Sequence, residues 1–273
     1  MTLILVLLFL SATVGSATPG WSQDRSLTPL QMEIEKQRER LSSPDVEERR
    51  DAVMRLTELR RPEASRAALA GLNDALPIVR ATAACAVLWL PGEESAAALI
   101  PLLNDKDEFV RQEVAYALGR TGSKTAVKPL IERLSTDKKD GVRGAAAVAL
   151  GQLADESAVV PLANVLAPET TSGSPRKARG SRNKENVFIL RAVAASLGQI
   201  KSKAGLPALI AALEDERTAG DVRREAARSL GLIGDPAAAP ALRKASTAGD
   251  AHLSRMAFEA LRRISNLQKG LPG

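Results

Sequence analysis

From Ser43 onward the apolar positions of this chain fall at the three- and four-residue spacing of one helix face, and the helices themselves recur. Val79-Arg80, Val110-Arg111 and Val142-Arg143 open the small-residue stretches ATAACAVL, QEVAYALG and GAAAVALG at intervals of 31 and 32 residues. Asp74, Asp105 and Asp137 each stand five positions before one of these valines. The pattern V-R-x-x-[AV]-A-x-[AS]-L-G returns at Val222-Arg223, with weaker copies at Glu48-Arg49, near Ile189 and near Leu253. Gly119, Gly151, Gly198 and Gly231 are placed as C-terminal glycines that close these helices.

A second helix follows in the same phase, in ESAAALIPLL, KTAVKPLIERL, ESAVVPLANVL, KAGLPALIAAL and PAAAPALRKA. Pro101, Pro129, Pro161, Pro207 and Pro240 recur in it, and the pattern predicts each near the first turn, where a missing N–H costs little. The unit is thus helix–turn–helix. Seven are expected, at 44–74, 75–105, 106–137, 138–167, 186–215, 216–247 and 248–273, the last without a full second helix. One such hairpin cannot bury its apolar face alone, whereas a stack of them shares a continuous core. The expected fold is therefore all-α, a right-handed α-solenoid over 44–273. Before it, Thr28-Pro29 with Gln31 reads as N-cap, first helical residue and capping box of a capping helix over 28–43, and Leu27 is positioned to staple onto Met32.

The first 27 residues read differently. The run LILVLLFL at Leu3 to Leu10, followed by small residues at Gly15 and Ala17, fits a secretory signal peptide over 1–17, cleaved after Ala17. Residues 18–27 form a polar linker. No Lys or Arg precedes the apolar run, which departs from the usual leader, and no cysteine follows it to carry a lipid. The expected mature chain is exported, periplasmic or secreted, with no transmembrane span.

Composition narrows the chemistry. Of 273 residues, 46 are alanine, while aromatics make up only 3%, as thin layers of closely spaced helices require. A single cysteine, Cys85, leaves no internal disulfide and no cysteine-rich zinc site; its apolar surroundings predict burial. A single histidine, His252, leaves no His-paired metal motif and reads as a surface or capping residue. GxSxG and GxxxxGK[ST] are absent. No catalytic, cofactor-binding or metal-ligating residue is assigned.

The repeat resembles the HEAT-like repeats named after phycobilisome lyases, within the wider HEAT and armadillo group. The resemblance covers about Pro44 to Leu267 and rests on D-x-x-x-x-V-R, A-x-[AS]-L-G and the proline-bearing second helix. It implies an inter-repeat ladder drawn from Asp74, Arg80, Asp105, Arg111, Asp137, Arg143 and Arg223, structural in role. Two relatives bring enzymes into view. Deoxyhypusine hydroxylases bind a di-iron centre through repeated His-Glu pairs, and this chain has no such pair. Bilin lyases are the other, and no residue here singles out a bilin.

Function is therefore expected to be non-enzymatic: a protein or peptide-binding scaffold using the concave face. Phase places Lys124, Lys128, Glu132, Asn164 and Lys203 on that inner row. The alternatives are a lyase-type accessory subunit or a hydroxylase-like (oxidoreductase) relative without the His-Glu pairs, both implied by the resemblance, and a polyanion binder. The latter would use the insert at 168–185, which lengthens the Gly151–Gly198 interval to 47 residues. Arg176, Lys177, Arg179, Arg182 and Lys184 face only Glu169 and Glu185 there, a net +3 out of the chain's +6. Such a stretch reads as a solvated basic loop, with an anionic partner as its functional reading. The leader and the lack of interleaved aromatics argue against nucleic acid. Deleting Thr171 to Asn183 removes almost no apolar surface, so stability should change by about 1 kcal/mol or less; thermal melts check this, and an unfolded product would make the insert structural.

Overall fold

The computed structural model describes residues 27–167 and 184–270. The leader, nearly all of the linker, and the insert up to residue 183, with Arg176, Lys177, Arg179 and Arg182, lie outside them. Among the described residues every regular element is helical. The chain opens on α1 (Pro29–Arg40), whose N-cap Thr28 and Gln31 close the capping box. Ile34 buries itself against the next unit, while Leu27 and Met32 stay half exposed at 49% and 53%, so no staple covers them.

Six helical hairpins and one terminal helix follow. Their first helices are α2 (Val46–Glu58), α4 (Pro77–Ala86), α6 (Glu108–Thr121), α8 (Asp140–Leu153), α10 (Lys184–Ile200), α12 (Gly220–Ile233) and α14 (Ala251–Gln268). The second helices are shorter: α3 (Pro62–Ala68), α5 (Gly92–Leu99), α7 (Val127–Thr136), α9 (Val159–Leu166), α11 (Leu206–Glu214) and α13 (Ala239–Ser246). The helix α10 already starts at Lys184, inside the stretch expected to be loop. Ser123, Asp155, Ser202 and Asp235 each cap a 3-10 turn leading into α7, α9, α11 or α13. Pro129, Pro161, Pro207 and Pro240 fall within the first three residues of those helices. Pro101 does not. It sits in the 3-10 turn Ile100–Asn104 that follows α5, where a residue with no N–H ends the regular helix.

Each Val of the repeated motif is buried, as are Leu118, Leu150 and Leu230 after it, with Leu88 half-buried, and one apolar core runs the length of the stack. The two rows pack unequally. Consecutive first helices lie against one another along much of their length, whereas consecutive second helices meet at few places. A stack with one tight row and one loose row bends toward the tight one. The first helices therefore form the inner wall.

Small residues make that tight row possible, and they correct the expected role of the glycines. Gly119, Gly151, Gly198 and Gly231 lie inside α6, α8, α10 and α12 rather than beyond their ends. A Cβ added at Gly119 would come 2.7 Å from the Cα of Ala149. At Gly198 it would meet the Cα of Ser229 at 2.9 Å, and at Gly231 the Cα of Ala260 at 2.9 Å. The neighbouring helix backbone occupies the space. True left-handed caps are Gly122 and Gly234, three residues further on.

Between turns runs a set of arginine–aspartate rungs. Arg49 meets Asp74 at 2.6 and 3.1 Å, Arg80 meets Asp105 at 2.7 and 2.7 Å, and Arg111 meets Asp137 at 2.9 and 3.1 Å. The third nitrogen of each fork turns back to its own unit's turn: Arg80 donates to the carbonyls of Asp74 and Ala75, Arg111 to that of Asp105. Each aspartate also accepts a backbone N–H two residues on. One guanidinium thus ties two successive turns, and the Arg80–Asp105 pair is 8% and 9% exposed.

The rungs stop at Arg143, contrary to the ladder expected there. Its Nε donates to the Leu134 carbonyl at the end of α7 and its Nη1 lies 3.5 Å from Asp140 on its own helix, so neither contact reaches the following turn. The equivalent position one unit later, five before Ile189, is Lys184, so no carboxylate awaits it. Arg223 likewise donates to the Leu213 carbonyl, because Ala248 stands where its aspartate would be. Its neighbour Arg224 makes the crossing instead, to Asp250 at 2.7 Å.

The Arg49 hydrogen bond holds the Asp74 carboxyl below the usual range. Burial pushes Asp105 and Asp137 up, but the hydrogen bonds from Arg80 and Arg111 outweigh it and both end lowered. A folded-state pKa below the unfolded one contributes stability that is present above about pH 4 and lost as pH falls through the folded value. Arg111→Ala leaves the largely buried Asp137 carboxylate without its fork and should cost about 1–3 kcal/mol at neutral pH. The gap in melting temperature between wild type and variant should narrow below about pH 4, as that carboxylate protonates. Equal melting temperatures at pH 7 would remove the rungs as a source of stability.

Candidate functional site

Because successive first helices are stacked in register, equivalent positions line up across the inner wall. One column holds Gly144, Arg191, Arg224 and Arg255; a second holds Phe188, Asp221 and His252; a third holds Val148, Ala195 and Arg228. Over α8, α10, α12 and α14 these columns enclose an open groove of about 510 Å³. Its floor is apolar, made by Val148, Ala192, Ala195 and Met256, with Phe188 at one end.

The ring of Phe188 lies over Gly144, filling the place a side chain there would occupy. This contact joins α8 to α10 directly across the insert. The Ser196 hydroxyl adds a hydrogen bond to the Ala147 carbonyl at 2.7 Å.

The rim is charged. Arg224 bridges Asp221 and Asp250, which raises its pKa, with the hydrogen bond it donates to Asp221 as the largest cause. Asp250 is lowered, first by the Leu253 N–H at the start of α14 and more weakly by Arg224. Arg228 pairs with Glu225 at 2.9 Å. Arg191 and Arg255 are exposed and make no ion pair or hydrogen bond with any described residue. Two of the four arginines are thus internally compensated and two are not. His252 is exposed at the groove's edge, its backbone N–H donated to Asp250.

The residues expected on the inner row lie elsewhere. Lys124, Lys128, Glu132, Asn164 and Lys203 all belong to the second helices or their entry turns, on the looser outer row. Phase alone does not say which of two amphipathic rows is inside; helix spacing does. Several of the five are occupied in joints. The Lys124 Nζ donates to the Leu153 carbonyl and lies 3.6 Å from Asp155 of the next unit. Lys203 lies 2.9 Å from Asp235, and Glu132 lies 2.6 Å from Arg133. Lys128 and Asn164 are exposed. Cys85 is half-buried rather than buried, facing the inner wall between Met54 and Tyr116 in register; burial, with Glu113 adding, pushes its thiol pKa up. A protonated thiol is a poor nucleophile.

Among the described residues no group of three His, Cys, Asp or Glu side chains stands close enough to hold a metal ion, so a di-iron centre does not fit the residues present. No helix among them is long and apolar enough to cross a membrane.

Comparison with known proteins agrees with this geometry. A chain of the CpcE–CpcF complex of phycocyanin lyase from Nostoc superposes with a TM-score of 0.50 at 22% identity, covering 96% of this chain and all of that one. At that identity the likeness concerns the fold. Deoxyhypusine hydroxylase from Gallus gallus is 36% identical over 84 residues, which is 31% of this chain and 28% of the hydroxylase. The chain therefore matches little more than a quarter of that relative's length. The human hydroxylase structure gives a TM-score of 0.40 at 22% identity, over 86% of this chain and 96% of its own. The family model for HEAT repeats matches residues 34–119, 97–173 and 181–267, most of the chain, and this protein belongs to the HEAT-repeat family.

Proposed function

We propose that the chain is a non-catalytic binding scaffold that holds a protein or peptide in the groove of its inner wall. The observation that carries the reading is the groove itself, an apolar floor of about 510 Å³ rimmed by charge on four successive first helices. Repeat stacks bind along such extended walls because each unit contributes equivalent side chains. The carboxylates that line the groove are committed to structure, Asp221 to Arg224 and Glu225 to Arg228, and the His252 imidazole stands at its exposed edge. A general base needs a free acceptor within hydrogen-bond reach of its substrate. The relatives include a lyase and a hydroxylase; chromophore transfer or hydroxylation by the purified chain would overturn the non-catalytic part of this proposal.

Ala195→Trp places an indole on the groove floor, at a half-buried position facing outward from α10. Cross-linked partners captured from the native host with wild-type bait should be lost with this variant and kept with Lys128→Ala and Asn164→Ala on the outer row. Loss with the outer variants alone would move the site to the second helices.

The scaffold is further proposed to act after export, on the strength of the Leu3–Leu10 run and the small residues at Gly15 and Ala17. N-terminal sequencing of protein from the native host should begin near Thr18; an intact Met1 would place it inside the cell.

A further inference from the structure

The groove has a chemical preference as well as a shape. Its four arginines face two internal carboxylates, Asp221 and Glu225, and its two uncompensated guanidinium groups stand at opposite ends, on α10 and α14. Between them, on α12, Arg224 and Arg228 are held by Asp221 and Glu225, and the apolar surface lies beside the free arginines, with Ala192 and Ala195 behind Arg191 and Met256 behind Arg255. We propose that the groove takes an acidic peptide segment in extended form, whose carboxylates reach Arg191 and Arg255 while an apolar side chain covers the floor beside them. This rests on the binding-scaffold reading and names the partner's chemistry.

Geometry sets the spacing. Adjacent packed helices stand about 8–10 Å apart, so α10 and α14, two steps apart, are separated by roughly 16–20 Å. An extended chain advances about 3.3 Å per residue, which places the two carboxylates about five or six positions apart. A peptide running across the helices, rather than along one, then meets one column position per unit. Each free guanidinium offers a planar fork that matches a carboxylate in two hydrogen bonds.

A polyanion fits less well. Asp221 and Glu225 interrupt the positive rim, and a phosphate chain leaves the Phe188 and Met256 surfaces uncovered. A peptide with separated carboxylates and uncharged residues between them puts no like charge against Asp221 and Glu225 and still offers an apolar side chain to the floor. Charge complementarity, not charge density, favours it.

The test uses the full chain and three labelled probes: a peptide with two glutamates five or six positions apart around a leucine, its glutamine counterpart, and inorganic polyphosphate. The glutamate peptide should bind, and raising salt to about 0.5 M should weaken it. The Arg191→Gln/Arg255→Gln double variant should weaken it by about tenfold or more, since each lost contact is a hydrogen bond to a charged group. Both side chains are exposed, so thermal melts of the double variant should match wild type. Equal binding of the glutamine peptide, unchanged affinity in the double variant, or preferential binding of polyphosphate would each overturn the proposal. If Ala195→Trp loses the native partner while the double variant keeps it, the scaffold reading stands and the acidic preference alone falls.

Discussion

The architecture depends on how closely one helix can approach the next along the inner wall. Where Gly119 faces Ala149, and where Gly198 and Gly231 face Ser229 and Ala260, the backbones stand so near that a single added methyl has no room. That closeness is set by the smallest side chains, repeated at one phase through successive units. It shortens one row against the other, bends the stack, and brings equivalent positions of four helices side by side. The groove is a product of the bend and of the register together. Neither a single unit nor a straight stack would have it.

The turns are governed by a different device. In the amino-terminal half, Arg49, Arg80 and Arg111 each bind the aspartate of the following turn and the carbonyls of their own. Their nearly dry, two-pronged geometry makes them the strongly oriented contacts of the stack, whereas the exposed pairs on α1 and α2 add little. Beyond Arg143 the turns lose that link, and α10, α12 and α14 are held mainly by helix-to-helix contact, with Arg224–Asp250 and Lys203–Asp235 crossing between units. The binding groove lies in this second half.

Much of this could be read along the chain. The Val-Arg and Leu-Gly phases located α4, α6, α8, α10 and α12, weaker copies marked α2 and α14, and Thr28 with Gln31 marked the start of α1, because local spacing and capping chemistry are carried by neighbouring residues. What the spacing does not carry is the sidedness of a double row: both helices of a unit are amphipathic, and Lys128 or Asn164 is as polar as Arg191. The signal that decides it is residue size, since alanine, glycine and serine at one phase identify the row that packs tightly. The same signal explains why Gly151 lies within α8 rather than after it. Arg223 and Arg224 show a finer limit. Adjacent arginines look interchangeable in a motif, but only the second points at a carboxylate, because the unit that follows offers Asp250 and not an acid at position 248.

The notch at Gly144 gives the break in periodicity a meaning of its own. A hairpin normally inherits its alignment from the short turn that ties it to the preceding one. Between α9 and α10 the connection is too long to dictate anything, and alignment there is supplied by contact: the Phe188 ring in the gap over Gly144, and Ser196 beside Gly151 with its hydroxyl on Ala147. The covalent path and the docking instruction are thereby separated at one point in the molecule. The alignment of α8 with α10 therefore has contacts of its own, carried by Gly144, Gly151, Phe188 and Ser196 and lying wholly outside residues 168–183.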